Sequence, residues 1–356
     1  MADEDEGITK PTCMIGSRNF MNVAELVKRY ASGERNFAGI NIAGADLRGI
    51  NLSGANLSQA FLASANLERA NLTGANLNGA FLYGTEMTYA RLAGASLVSA
   101  DLTKANMKGA YLVKANLTRA KFSGAILKGV NLCLANLSGV NFCGANLSGI
   151  NLRSSNLSEA NLSWANLTGA RLSGANLNGT RLDNVKLNQA YLNGVNLSGA
   201  DLDGVDLSES KLNGADLTGA NLSVANLSDA SLKVAKFGQA NLHAATLNGT
   251  SLIQTDLHGA DLSQCELMEA DLHRANLTEA NLNGAKLYAA NLANANLTGA
   301  YLWAAKLDMA SLQGANLNGA KLQGASLREV NTQGIYYDEE TRFPADYSAP
   351  SVSRSA

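Results

Sequence analysis

From Phe37 to Leu327 every fifth residue is Leu, Ile, Met or Phe, giving 59 units in which no insertion or deletion shifts the register. An unbroken short period makes every unit a copy of one small element, which must stack on its neighbours because a single unit cannot bury its apolar side alone. The 356-residue chain is therefore expected to form one elongated domain rather than the two or three its length would otherwise suggest. Only 6% of its residues are aromatic and 34 are Gly, so the interior has to be narrow and filled by Leu and small side chains.

Two residues before each large apolar centre stands a small one, as at Ala45, Ala55, Ala60 and Ala65, with Val130, Val140, Ile150, Thr180 or Cys265 as exceptions. Two inward residues separated by one outward residue is the alternation of a short strand. A period of five then requires a turn after every strand. Gly stands two residues after the centre in 29 of the 59 units, where it falls at the third position of a β-turn and meets the positive φ of a type II turn. The number of turns per coil comes from a second period. In the series 36, 56, 76 and onward to 316, the residue before the centre is Asn at 11 of 15 positions, with Ser96, Asp216, Lys236 and Asp256 as the others. Twenty residues per coil means four corners and about 15 coils, a square β-solenoid about 70 Å long at the ~4.8 Å spacing of neighbouring strands. The Asn series is expected to form an exposed amide ladder, and Asp216, Lys236 and Asp256 a same-column charge pairing.

The units Ala55-Asn56-Leu57-Ser58-Gln59 and Ala75-Asn76-Leu77-Asn78-Gly79 have the form A(D/N)LXX, and on them the chain resembles the pentapeptide-repeat family over residues 36–330. The resemblance implies an all-β fold, a right-handed quadrilateral β-helix with the centre and the small residue inward; the handedness comes from the resemblance alone.

An open solenoid exposes unpaired strand edges, so capping segments are expected at both ends. Asn22 and Glu25 fit an N-cap and N3 pair, followed by Val23, Leu26, Val27 and Tyr30 at helical spacing and by Gly33 as a stop. The expected organisation is a disordered acidic tail over 1–19, a capping helix over 20–35, the solenoid over 36–330, a C-terminal cap over 331–347 and a disordered tail over 348–356. The segment from Met21 to Phe37 is similar to the short N-terminal helix of cyanobacterial family members. The closing segment with Tyr337, Asp338, Phe343 and Pro344 resembles a tail found at the end of other members.

Catalytic, cofactor-binding and metal-binding residues are expected to be none. His243, His258 and His273 are the only histidines, and the coil puts them on three different faces, beyond ligand distances of about 2.0–2.1 Å to one ion. A Ser or Cys nucleophile would lack its usual base. The four cysteines lack paired metal spacing, with Cys133 and Cys143 on opposite faces. The acidic start has no basic region followed by an apolar run, and no segment approaches the roughly 20 apolar residues of a membrane span, so a cytoplasmic location and no membrane partner are expected. The Asn-Leu-Ser and Asn-Leu-Thr triplets, such as Asn51-Leu52-Ser53, are by-products of the repeat rather than glycosylation sites.

Charge bears on the alternative reading that the resemblance brings, a DNA-mimic inhibitor or protector of DNA gyrase. Residues 37–330 hold 21 Lys and Arg against 20 Asp and Glu, which disfavours a mimic of a polyanion. Residues 91–128 are basic and 256–279 acidic, but successive charges fall on different faces and form belts rather than a nucleic-acid groove. The sharper signal is aromatic. Of ten outward-facing aromatics in the array, Phe61, Phe81, Tyr83, Trp164, Tyr301 and Trp303 share one face, in two clusters, one near each end. Aromatics are enriched in protein interfaces, while same-column neighbours such as Phe61 and Phe81 also stack to reinforce adjacent coils. The expected function is a non-enzymatic protein–protein interaction scaffold or regulator with an unidentified protein partner, a second copy of the chain being a further candidate.

Overall fold

The computed structural model describes residues 19–348. Residues 1–18 and 349–356, which hold nearly all of the two expected tails, lie outside the described residues.

The array forms because each unit satisfies its backbone through its two neighbouring coils. Parallel rungs join residues twenty apart, Asn36 to Asn56, Asn56 to Asn76 and so on, and the last, Lys321 to Arg342, spans one residue more. In every unit up to that of Leu322 the N–H of the next inward residue donates to the carbonyl of the centre, as from Ala60 to Leu57 at 3.1 Å. Four such turns complete a coil, as the twenty-residue period predicts. The third turn position has positive φ in all 59 units, and 30 of them carry a residue other than Gly, including Leu134, Trp164, Val224 and Val234. Gly favours this conformation but is not what imposes it. Closure of the coil does, because a unit that failed to turn would lose its rungs on both sides.

The centres and the small residues two before them form one continuous core, most of them completely shielded from solvent. The narrow interior admits Phe at only a few places, of which Phe122 and Phe142 pack ring against ring at 5.0 Å. Polar residues at the small inward positions turn their hydroxyls onto backbone: those of Thr250 and Thr255 donate to the carbonyls of Leu227 and Leu232 in the preceding coil, at 2.9 and 2.8 Å. Cys265 does the same to Leu242 at 2.8 Å, and burial pushes its thiol up to about 12.

At the N-terminal end, β1 (Asn19–Phe20) pairs in parallel with β2 (Ile40–Asn41). Asn19, assigned from sequence to a disordered tail, is therefore a ladder residue: the register set by Ile40 and Asn41 reaches back past the helix. Helix α1 runs Val23–Ala31, shorter than the expected 20–35, with the Asn22 side chain accepting from the Glu25 N–H at 2.8 Å. Leu26 is buried, and Val23 and Tyr30 pack on the core. Val27, grouped with them from sequence, is exposed. At the other end Tyr336 and Arg342 continue two columns of rungs. The Asp338 carboxylate accepts from the Gly319 N–H at 2.8 Å, and the Thr341 hydroxyl donates to the Leu317 carbonyl at 2.9 Å.

Candidate interaction face

The residue before each centre is fixed by two demands that act at once. Its side-chain oxygen accepts the backbone N–H two residues on, as Asn56 does from Ser58 at 3.1 Å and Asp101 from Thr103 at 3.0 Å, a local turn suited to Asn and Asp. Its amide then reaches the neighbouring coil. Asn56 donates to Asn36 at 2.9 Å, Asn76 to Asn56 at 3.2 Å, and Asn176 to Asn156 at 3.0 Å. The expected ladder is present, so these amides are engaged with each other. The expected charge triplet is realised in half: Lys236 lies 3.8 Å from Asp216, whereas the carboxylate of Asp256 accepts from the Asn276 amide at 2.9 Å. Among the described residues, none of the exposed large apolar side chains of the array lies on this Asn-bearing face.

The adjoining face is the aromatic one. Asn41, Phe61, Phe81 and Asp101 follow one another along one column of rungs, as do Asn281, Tyr301 and Lys321. Phe61 and Phe81 stack with centroids 4.8 Å apart and planes 6° from parallel, so this pair reinforces adjacent coils as well as presenting a surface. Tyr83 is exposed with Lys104 Nζ 5.8 Å from its ring centroid. Trp164 and Trp303 are the most exposed of the six, at 67% and 63%, with Tyr301 at 50%. Trp303 is held at its backbone, whose N–H donates to the Asn283 side chain at 2.9 Å. The six residues are not brought into one site. Tyr83 and Trp303 are 220 residues and hence eleven coils apart, about 50 Å at the ~4.8 Å strand spacing, with Trp164 alone between. Met268, Tyr288 and Met309 on the next face are also exposed, the Tyr288 hydroxyl lying 2.8 Å from the Met309 sulfur. Counting aromatics alone overlooked the methionines, although their outward register was available in the sequence.

Electrostatics across the array is local. A hydrogen bond from Lys286, at 2.7 Å, holds the Glu266 carboxyl below its ordinary range, and the Ser163 hydroxyl at 2.7 Å does the same for Asp183. Among the described residues no three His, Cys, Asp or Glu side chains are grouped so as to hold a metal ion, and no helix is long and apolar enough to cross a membrane.

The family described as Pentapeptide repeats (8 copies) matches the chain in ten stretches, most of them overlapping, between residue 36 and residue 331. Among solved structures, the chain is similar to HetL, a pentapeptide repeat protein involved in heterocyst differentiation regulation from the cyanobacterium Nostoc sp. Strain PCC 7120. The two are 33% identical over 77% of this chain and 96% of that one, with a TM-score of 0.23. Rfr23, from the cyanobacterium Cyanothece 51142, is 27% identical over 42% of this chain and 90% of its own, with a TM-score of 0.15. QnrB1, a plasmid-mediated fluoroquinolone resistance protein, is 16% identical over 60% and 89%, with a TM-score of 0.27. No curated protein matches the chain.

Proposed function

This chain belongs to the pentapeptide-repeat family, whose members fold as right-handed quadrilateral β-helices, and from that premise we propose that it is a non-enzymatic scaffold or regulator that binds a protein partner on its aromatic face. About fifteen coils, with α1 over the first and residues 331–347 over the last, make a rod whose outward columns are set by backbone rungs. The observation that carries the reading is the exposure of Phe81 and Tyr301 on one rung column, and of Tyr83 and Trp303 two residues on along the same face, of a scaffold whose column otherwise presents Asn, Asp, Lys and Arg. Large aromatics offer contact area at low entropy cost and anchor interfaces. Similarity to a protein involved in heterocyst differentiation regulation supports a regulatory role. The DNA-mimic alternative gains nothing from a solenoid with 21 basic and 20 acidic residues over 37–330.

The test is capture of partners by the full chain against a variant carrying Phe81→Ser, Tyr83→Ser and Trp303→Ser. These side chains are exposed, so the β-rich circular dichroism should be unchanged while a partner held by the wild type is lost. Equal recovery by both proteins would sink the assignment of the face.

A further inference from the structure

The rung ladder runs without interruption from Asn36 to Arg342 except at two consecutive places: no rung joins Asn176 to Asn196 or Arg181 to Asp201. The hydrogen bonds agree. In the coils on either side the centre and the third turn residue donate to the next coil, as Leu157 does to Asn176 at 2.8 Å and Glu159 to Asn178 at 2.9 Å, but the N–H groups of Leu177, Gly179, Leu182 and Asn184, and that of Gly174 just before them, make no such bond. The core shows the same opening: Ala175 and Leu177 are 7% exposed and Leu182 5%, against 0–1% for most of the array. Between them lies a cavity of about 310 Å³ lined by Leu177, Thr180, Leu182, Leu197 and Ala200. On the other two faces the same coils are joined, Arg171 to Tyr191 and Lys186 to Asp206, with Leu172 donating to Tyr191 at 2.8 Å and Leu187 to Asp206 at 2.9 Å. Inward volume does not by itself part the coils, because Val130, Val140 and Ile150 load the array as heavily as Thr180, Val185 and Val195 and their rungs are intact.

We propose that the solenoid is jointed here. Two blocks rock about the continuous rungs of two faces, and residues 175–184 and 195–204 are the jaws that open and close on the Asn-bearing and aromatic faces. The physical reason is that a repeat array is held together only by nearest-neighbour interfaces, so a missing pair of rungs weakens one interface and leaves all others rigid. Donor and acceptor rows face each other across the gap in register, the four N–H groups against the carbonyls of Asn196, Ser198, Asp201 and Asp203, so the jaws close by forming bonds that every other coil already makes. The joint lies midway between the aromatic clusters: Tyr83 stands five coils before Asp183 and Trp303 five coils after Asp203. Rocking on that face therefore changes the separation of the two clusters without altering either. This last consequence rests on the proposed function; the joint itself does not.

Amide hydrogen exchange on the full chain tests it. The amides of Leu177, Gly179, Leu182 and Asn184 should exchange at least about tenfold faster than their register equivalents Leu137, Gly139, Phe142 and Gly144, and Leu217, Gly219, Leu222 and Val224, because exchange reports the local opening of each bond. A second arm uses the variant Asn178→Cys with Ser198→Cys, residues that share one outward column on adjacent coils. Oxidation to the disulfide should bring the four amides down to the rate of their equivalents, and reduction should restore fast exchange. Uniform slow exchange in the wild type would overturn the joint. So would fast exchange that the disulfide leaves unchanged, since it would mean local fraying rather than jaws. Partner capture plays no role in this test, so its outcome is independent of the interaction face.

Discussion

Val224 and Val234 occupy the third position of their turns with φ of 48° and 56°, a conformation that costs a non-Gly residue about 1–2 kcal/mol and is least tolerated by a β-branched side chain. Both side chains are more than half exposed, at 56% and 60%, so removing them forfeits little burial. Replacement by Gly relieves the backbone strain, and the greater freedom of Gly in the unfolded chain takes back about 0.5–1 kcal/mol. Each change should therefore stabilise by about 0.5–1 kcal/mol. The two sites lie on opposite faces and their effects should add. The assay is equilibrium urea unfolding of Val224→Gly, Val234→Gly and the double variant, with Val195→Gly as control. Val195 points inward and is buried, so its loss should cost about 2–3 kcal/mol of burial and backbone order. The outward variants should raise the midpoint without changing the slope, and the control should lower it. If the outward variants lower the midpoint as the control does, the claim that coil closure imposes these turns against local preference is refuted.

Leu217→Ala should cost about 2–5 kcal/mol, as a fully buried Leu does, whereas Leu177→Ala, beside the existing cavity, should cost clearly less; equal losses of melting temperature would contradict the parted coils. Asn156→Ala removes the acceptor of the Ser158 N–H and the amide link to Asn136 and should cost about 1–2 kcal/mol, with Asn156→Asp recovering part of it by keeping the acceptor; a urea midpoint unchanged for Ala would count against the ladder. Asp338 is held below the ordinary carboxylate range chiefly by the Gly319 N–H. Its contribution is present above the unfolded value of about 4 and is lost as pH falls through the lower folded value. The Gly319 amide shift should therefore move with pH below about 4 in the wild type and stay flat in Asp338→Asn. Cys265, buried and with its thiol pushed up to about 12, should react with a thiol reagent only after unfolding, unlike the half-buried Cys133 and Cys143; labelling of all three at one rate would contradict its inward position.

Much of this was legible in advance because the information was one-dimensional. The Leu column and the Ala column each need only their own period to place them inward, and the Asn recurrence every twenty residues needs only the strand ladder to become a coil. Asn22 and Glu25 likewise met the N-cap geometry that their spacing predicts. Val27 failed because helical spacing gives a face but not its width, and only the side of α1 carrying Leu26 meets the first coil. Asn19 failed because a strand of two residues has no pattern to read and is created by the edge it pairs with. The six aromatics were correctly placed on one face, yet whether they make one surface depends on axial distance, and the structure spreads them over more than eleven coils.

Sequence alone decided the unit, the coil and the polar character of the Asn-bearing face, because a repeat with fixed period repeats its own local physics. Tertiary structure decided what no single unit can. It imposed positive φ on 30 residues other than Gly, since a coil that does not close loses its rungs on both sides. It also left two rungs unmade between Asn176 and Asp201, where the sequence continues in perfect register. Register says which residues are opposite one another; only the packed structure says whether they meet.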